Sequence, residues 1–345
     1  MTTHYAVDDN GHSHHKLAYL EDGVIKTLKK PTAVGDGSSP ITNTEGVPQS
    51  TYRINGHDFC CSEERQNKID IRNQGYQSSD ENKALVAHAL FKAGLQEKPI
   101  SLGVTVPWRE AYSKNGKLNS KRMEEVATHF KTGEMLNLTN GKGYDIQSCT
   151  AYPEGLAAFF DWAIGEDGSI DIASSQAGPI AVVDIGGSTT DIATVVSDEE
   201  LGIDHARSDT KKIGVLNAKE MVNDILVNAI HKETGVDPES DGGIPQRMVE
   251  SLFLNGSITI GKDIYNLSAD VSAVKASIAS QLVSFVKTTI GNPLLYEAIL
   301  FVGGGAIVFE DELRTHFRHA IFKDEFANAR GALKYMLKID RPTSA

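Results

Sequence analysis

The chain has 345 residues, 40% apolar and 23% charged, long enough to bury two cores and too apolar for extended disorder. Its 34 basic residues against 46 acidic ones leave a net charge of −12, which excludes broad attraction to nucleic-acid phosphates. Three cysteines, two of them adjacent at Cys60 and Cys61, form no disulfide framework and no metal-ligand spacing, and favour a reducing, cytoplasmic setting.

The opening MTTHYAVDDN lacks a basic segment followed by an apolar one, and no run approaches bilayer-spanning length, so neither export nor membrane insertion is expected. Residues 4–8 and 17–20 read as strands around the turn DNGHSHHK, and VGDGSSPITNTEG as loop. SSDENKALVAHALFKAGL begins with capping residues and stops at Gly94, the pattern of a helix. ISLGVTVP is a β-branched strand closed by Pro107. The polar WREAYSKNGKLNSKR after it is long enough to be a functional or assembly loop, in which Trp108 and Tyr112 suit surface contact and local packing equally.

A helix is expected from about Lys121 to Lys131, a short strand from Asp145 to Cys149, and a helix in YPEGLAAFFDWAI with Pro153 in its first turn. After the polar GEDGSIDIASSQAGP, IAVVDIGGSTTDIATVV gives two strands joined by a tight turn. NAKEMVNDILVNAIHKETG is amphipathic, with Met221, Ile225, Ala229 and Ile230 on its apolar side. ADVSAVKASIASQLVSFVKTTIG is a longer helix with Leu282 and Phe285 in its core stripe, AILFVGGG a buried strand ending in glycines, and FANARGALKYMLK a terminal helix. Strands alternating with helices, and glycine loops at strand ends, define an α/β protein.

Three of these turns carry chemistry. In DIGGSTTD, Asp184 ends a buried strand, Gly186 and Gly187 let backbone N–H groups approach an anion, and Ser188, Thr189 and Thr190 add hydroxyl donors. Alone, the stretch also fits a polar hairpin. DNGHSHHK repeats the parts: Asp9, then Gly11, His12 and Ser13, with Lys16 returning along the second strand. In FVGGG, Gly303, Gly304 and Gly305 leave flat space for a base or ribose, although a tight strand-to-helix turn needs the same residues. Together they suit a magnesium nucleotide whose metal is held largely through water by Asp9 and Asp184.

Two other patterns are set aside. His4, His12, His14 and His15 lie in and beside one short turn whose side chains alternate in direction, so no dedicated metal site is expected. GSITIGKD nearly spells a P-loop, but Asp263 stands where Ser or Thr should bind magnesium, and the alternation of residues 257–260 reads as a hairpin.

The order and spacing of Asp9-x-Gly11 with Lys16, DIGGSTTD and FVGGG resemble the actin, sugar-kinase and heat-shock-chaperone ATPase superfamily. VDDNG, TVPWREAYSKNGK, the Pro-Glu-Gly of residues 153–155, KKIGV and the NARG helix are similar to the ParM group of plasmid-partitioning bacterial actins. The resemblance runs along almost the whole chain and is weakest at 30–75 and 232–270.

It implies an actin-like two-lobed fold, each lobe a mixed β-sheet flanked by helices, with residues 1–160 and 322–345 as lobe I, 161–321 as lobe II, and the nucleotide in the cleft between. It implies an ATPase using ATP, with GTP left open, and Mg2+. Polymerisation into filaments follows, hydrolysis destabilises the polymer, and a ParR-like DNA-binding adaptor on a plasmid centromere holds its ends; direct sequence-specific DNA binding and membrane contact are not expected. Carried over by position, Asp9 and Asp184 are metal-shell carboxylates, Lys16 a phosphate contact, Gly214 of KKIGV a nucleotide contact, and Glu154 the group that orients or activates water. Glu154 and Asp184 are thus the expected catalytic pair; Asp191 binds either the metal or its own turn. His12 departs from the Ser or Thr that many relatives carry there, which shifts the expected contact to backbone or Ser13. A small-molecule kinase or a non-polymerising nucleotide-dependent regulator on the same fold are the rival readings.

Overall fold

Strand β1 (His4–Asn10) turns back into β2 (His14–Glu21) with Asp9 opposite Lys16, and β3 (Val24–Pro31) continues the meander. This is a computed structural model; it describes residues 3–340 except 65–67, 74, 114, 166–167, 170–177, 198–200 and 239–242, so most of the expected polar stretch 165–179 lies outside the described residues.

Next come the short strands β4 (Gly35–Asp36), β5 (Thr51–Ile54) and β6 (His57–Cys60). Helix α1 (Asp80–Lys92) follows, with the Ser79 hydroxyl accepting the Asn82 N–H at its N-terminus. Strand β7 (Pro99–Val106) lies parallel to β1 and is buried along nearly its whole length, as a strand covered on both faces must be. Helices α2 (Trp108–Ala111) and α3 (Ser120–Lys131), strands β8 (Met135–Asn137) and β9 (Lys142–Gly143), and β10 (Asp145–Pro153) complete the first lobe's strands. The main sheet runs β10-β7-β1-β2-β3, and a smaller one runs β4-β6-β5-β8-β9.

The second half repeats the plan. Strands β11 (Ile180–Ile185) and β12 (Thr190–Ser197) form a hairpin with Asp184 opposite Asp191. On its far side β12 pairs with β13 (Leu201–Ile203) and β14 (Asp209–Lys211). Helices α5 (Val215–Thr234) and α6 (Gln246–Asn255), the hairpin β15 (Ser257–Ile260) with β16 (Asp263–Asn266), and α7 (Ser268–Ile290) come before β17 (Ala298–Val302), which lies parallel to β11 as β7 does to β1. Helices α8 (Gly304–Val308) and α9 (Glu310–His316) lead to β18 (Ile321–Phe322) at the sheet edge. Buried Val271, Val274, Ile278, Leu282 and Phe285 of α7 meet Val222 and Leu226 of α5 in this lobe's core.

Two helices stand between the sheets. α4 (Leu156–Ala163) packs Ala158, Phe159 and Phe160 on Ile180, Val182 and Leu300 of the second sheet, while Ala157 joins Val7 and Ala18 of the first. α10 (Ala327–Asp340) crosses it so closely that a Cβ on Gly331 would come within 2.0 Å of the Ala157 carbonyl oxygen. The crossing is pinned by Asp161, almost wholly buried, whose two oxygens each accept an Arg330 hydrogen bond at 2.7 Å, with Lys334 at 3.1 Å and Lys323 at 3.4 Å. Burial works against that charge, but Arg330 and the two lysines outweigh it and hold the carboxyl below the usual aspartate range.

Three local expectations need correction. Pro153 is the last residue of β10, not part of a helical first turn; the strand runs four residues past Cys149 because it pairs with β7 through Val106, and α4 starts only at Leu156. On α5, Met221 is exposed; the buried stripe is Ala218, Val222, Leu226 and Ile230, rotated by one residue from the expected one. The segment after Pro107 opens with helix α2, and Trp108 is only 4% exposed, its ring tilted by 37° against Tyr112 with centroids 4.5 Å apart and lying 5.9 Å from His205 of the second lobe, so it packs within the molecule.

Candidate functional site

The two hairpins point their turns at one another. Asp9, one residue from the end of β1, is buried; Lys16 Nζ, opposite it on β2, donates to its Oδ2 at 2.6 Å, and Thr105 Oγ1 of β7 donates to its Oδ1 at 3.0 Å. Asp184, in the same place on β11, is buried as well and accepts Asn328 Nδ2 of α10 at 2.5 Å. Glu154 follows β10 directly; its N–H donates to the Val106 carbonyl, and its Oε1 accepts the Thr105 hydroxyl at 3.4 Å. Asn328 Oδ1 accepts the next backbone N–H, that of Gly155, so one side chain ties the Glu154 turn to Asp184 across the lobes.

Asp191, opposite Asp184, spends its oxygens on its surroundings: the Thr210 hydroxyl at 2.5 Å, the Thr189 hydroxyl of its own turn, and the Trp108 N–H of the other lobe. Of the two roles left open for it, holding the turn is the one its contacts describe.

The turns interlock. The Ser188 hydroxyl and His12 Nδ1 are hydrogen-bonded at 2.8 Å, joining the two loops directly, and the His12 ring rests on Tyr76 at 5.0 Å. A Cβ on Gly214 would sit 2.4 Å from the Gly187 carbonyl oxygen and 2.6 Å from that of Gly186. Only glycine permits this approach, which lets Val215 and Leu216 N–H at the start of α5 donate to those two carbonyls.

A cavity of about 300 Å³ lies where these pieces meet. Asp9, Gly11, His12, Ser13 and Lys16 line it from one hairpin, and Asp184 with Gly186, Gly187, Ser188 and Thr189 from the other. Glu154, Gly304 and Gly305 complete that end, while Gly303 lies behind, against Asp184, and Gly214 behind the second turn. Apart from those two, Asp191, and Thr190, whose buried hydroxyl donates to the Ile213 carbonyl instead of entering the cavity, the anticipated site residues face this one space. The sequence reading missed its other end, where Phe253, Leu254, Ile307 and Val308 form apolar walls beside the Lys219–Glu250 ion pair, 3.1 Å apart. It also missed Thr105 and Asn328, although the NARG motif and TVPW had been noted for other reasons.

Charge is the site's dominant property. Four buried carboxyl groups, Asp9, Asp184, Asp191 and Glu154, gather here; Lys16 is the cation that Asp9, Asp184 and Glu154 share, and Arg109 the one that acts on Asp191. Burial, then the neighbouring Asp9 charge, pushes Asp184 up to about 7 against the pull of Lys16 and Asn328. Burial takes Asp191 to about 6 despite its hydrogen bonds, and burial with the charges of Asp9, Asp191 and Asp184 holds Glu154 well above the carboxylate range. Burial disfavours the Lys16 charge, but Asp9, Asp184 and Glu154 more than restore it. His12 is held below the usual histidine range by burial and then by the Arg72 charge, so its ring is neutral at pH 7.

This excess of buried negative charge, presented by hard oxygen donors only, fits a divalent cation such as Mg2+. Among the described residues no three acidic, histidine or cysteine side chains converge closely enough to be direct ligands together.

Two sheets of matching topology, two helices between them and a cleft lined by both hairpin turns define an actin-like protein. The family model described as plasmid segregation protein ParM, N-terminal, matches residues 4–163, and that described as archaeal actin homologue MreB-like, C-terminal, matches residues 182–315, so each half of the chain is similar to an actin-like family. Its fold is similar to a ParM from Clostridium botulinum solved as a 15-stranded filament (18% identity, 97% of this chain and 99% of that one, TM-score 0.74). An archaeal actin homologue in complex with ADP (18%, 98% and 99%, 0.70) and Bacillus thuringiensis ParM with ATP (14%, 99% and 100%, 0.63) are similar as well. Among curated proteins, a sequence comparison finds no match. No helix among the described residues is long and apolar enough to cross a membrane.

Proposed function

We propose that this chain binds a magnesium nucleoside triphosphate in the cleft, hydrolyses it, and assembles with copies of itself into filaments that segregate plasmid DNA in the cytoplasm through a centromere-bound, ParR-like adaptor. The observation that carries the reading is the convergence of three glycine turns from two lobes on one cavity, where the buried carboxyl groups of Asp9, Glu154 and Asp184 gather around Lys16. The names of similar proteins, a filament in one case and ADP or ATP complexes in others, support the nucleotide and the self-assembly.

Lys16 and the backbone N–H groups of residues 12–13 and 187–189 hold the phosphates, while the Gly11 and Gly186 N–H groups close the two turns, and Asp9 and Asp184 would hold a hydrated metal that offsets phosphate charge. Phe253, Leu254, Ile307 and Val308 take the base, with ATP as the first nucleotide to test and GTP as the second. Burial keeps the Glu154 carboxyl protonated together with the Asp9 and Asp184 charges, which a bound divalent cation would offset. Once ionised, Glu154, fixed by the Val106 carbonyl, accepts a proton from water as the water oxygen bonds to the γ-phosphorus and the bond from the γ-phosphorus to the bridging oxygen breaks. Lobe I (1–160 with 322–345) and lobe II (161–321) are the bodies that close on the triphosphate.

Light scattering and sedimentation with and without Mg-ATP test the reading. Nucleotide-dependent pelleting with phosphate release is expected; turnover that needs an added acceptor, without pelleting, refutes it. Glu154→Ala should bind nucleotide and assemble, yet lose hydrolysis by about 100-fold or more, leaving persistent polymer. Phosphate release at the wild-type rate by that variant would remove Glu154 from the mechanism.

A further inference from the structure

His12 stands at the seam between the two hairpin turns. A Cβ on Gly187 of the second turn would lie 2.9 Å from the Ser13 Cβ of the first, so the turns touch there, and beside that contact runs the His12–Ser188 hydrogen bond. Both residues line the cleft cavity, and His12 also borders the neighbouring groove between residues 68–72 and α5. The ring is steadied by Tyr76, whose buried hydroxyl is itself hydrogen-bonded to His15 Nε2 at 2.8 Å.

Counting hydrogens at this pair leaves one donor over. The neutral ring carries one proton and the serine hydroxyl another, yet only one of them lies between Nδ1 and Oγ. When Ser188 donates to Nδ1, the Nε2 proton is unused; when Nδ1 donates to Ser188, the hydroxyl proton is free. Nε2 is buried and has no hydrogen-bond partner among the described residues. A second proton on the ring ends the competition: Nδ1 then only donates, and the Ser188 hydroxyl proton is left for an anion in the cavity.

The charges facing the ring leave room for that proton. In the groove Arg72 opposes it, but Arg72 is paired with Asp70 at 3.2 Å and with Glu220. Lys219 of α5 is paired with Glu250, and Lys68 and Asp224 border the groove with opposite signs. Behind Tyr76, His15 faces Asp8 at 3.1 Å; on the cavity side Lys16 is bound to Asp9. Burial, with the charges of Lys29, Lys16 and Lys219, holds His14 at about 3, so it stays neutral. Burial is thus the main obstacle to a charged His12, and an anion beside the ring is what would overcome it.

We propose that His12 makes this site choose triphosphate over diphosphate more strongly as pH falls: the terminal phosphate draws a proton from solvent onto the His12 ring, and the imidazolium then holds the Ser188 hydroxyl toward a phosphate oxygen. A serine or threonine at this position could donate a hydrogen bond but take up no proton. Because the complex binds one proton more than the free site, affinity for triphosphate climbs as pH drops between the two titration points and levels off below the lower one. A diphosphate, which brings less negative charge to the seam, gains less. The inference rests on the nucleotide reading and adds a selectivity to it.

The test compares the full-length wild type with His12→Asn, which can still hydrogen-bond Ser188 but does not titrate; His12→Gln serves as a second such variant, and thermal melts matching the wild type confirm folding. Competition against a fluorescent ATP analogue, at protein concentrations too low to pellet, gives affinities for Mg-ATP and Mg-ADP at pH 8 and pH 6. The wild-type ratio of ATP to ADP affinity should rise about fivefold from pH 8 to pH 6, and that of the variants should change by less than about twofold. Protonation of the nucleotides themselves is common to all three proteins and cancels. Calorimetry in two buffers of unlike ionisation enthalpy should show more proton uptake with Mg-ATP by the wild type than by either variant. A wild-type ratio as flat as the variants', or equal proton uptake, overturns this inference alone. A wild type that binds neither nucleotide at either pH overturns the nucleotide reading together with it.

Discussion

Asp184 has a carboxyl that the folded chain protonates more readily than the unfolded chain does, about 7 against 3.8, so the native state holds the extra proton between those values. Stability from this group is therefore complete below pH 4, falls as pH rises toward 7, and levels off above it. Asp184→Asn should abolish that slope: in urea titrations with a chelator present, the variant should equal the wild type near pH 4 and exceed it at pH 8, by an amount on the order of 1 kcal/mol or more. Equal midpoints at both pH values would show that the carboxyl carries no such burden. Added magnesium should narrow the gap at pH 8 by favouring the ionised wild type, and turnover by the variant should lose its magnesium dependence. Asp9, Lys16 and Asp184 were legible in the sequence because each hairpin brings its own chemistry together within a few residues. Asn328 was not, since its partner lies 144 residues away and no local pattern distinguishes a bridging asparagine from a solvated one. Thr105 was hidden for the same reason, inside a strand whose other residues, Ser101 excepted, carry no polar side chain.

At the level of elements, the α4–α10 crossing is the junction where small changes should cost most. Gly331→Ala drives a methyl group against backbone, the Ala157 carbonyl and the Asp161 nitrogen, which cannot yield as a flexible side chain would. A loss of about 3 kcal/mol in denaturant unfolding is expected. Asp161→Ala removes the buried partner of Arg330 and Lys334 at the same crossing, leaving Arg330 with Asp324 and Lys334 with the carbonyls of residues 161 and 164, with a loss of about 2 kcal/mol at pH 7 that shrinks as acid protonates the wild-type carboxyl. Because both act on one interface, the double variant should lose less than the sum, and full additivity would separate the two effects. Periodicity identified α4, α5 and α10 as helices but not their settings. On α5 the packing partner, α7, chose the face centred on Val222 over the one centred on Met221, and at Pro153 pairing with β7 outlasted the residue's preference for a helix start.

For the whole molecule, a ligand held by turns from both lobes should stabilise them as one. At 100 times its dissociation constant, Mg-ATP should add about 2.7 kcal/mol to unfolding, and amide exchange should slow together at residues 9–16 and 184–191. Slowing confined to one hairpin would mean that the lobes do not share the ligand. The two-lobed α/β plan was readable from the order of strands, helices and glycine turns; the crossing of α4 and α10 between the sheets was not, since it depends on contacts across half the chain. The matched hairpins carry a last consequence. Asp9 and Asp184 hold equivalent registers beside equivalent parallel strands, so a half-length ancestor pairing with itself would have built a cleft with twofold symmetry. At the facing position the halves now diverge, Lys16 in one and Asp191 in the other. That single exchange of sign makes the modern cleft directional, so that a linear, unsymmetrical molecule has one way to lie in it.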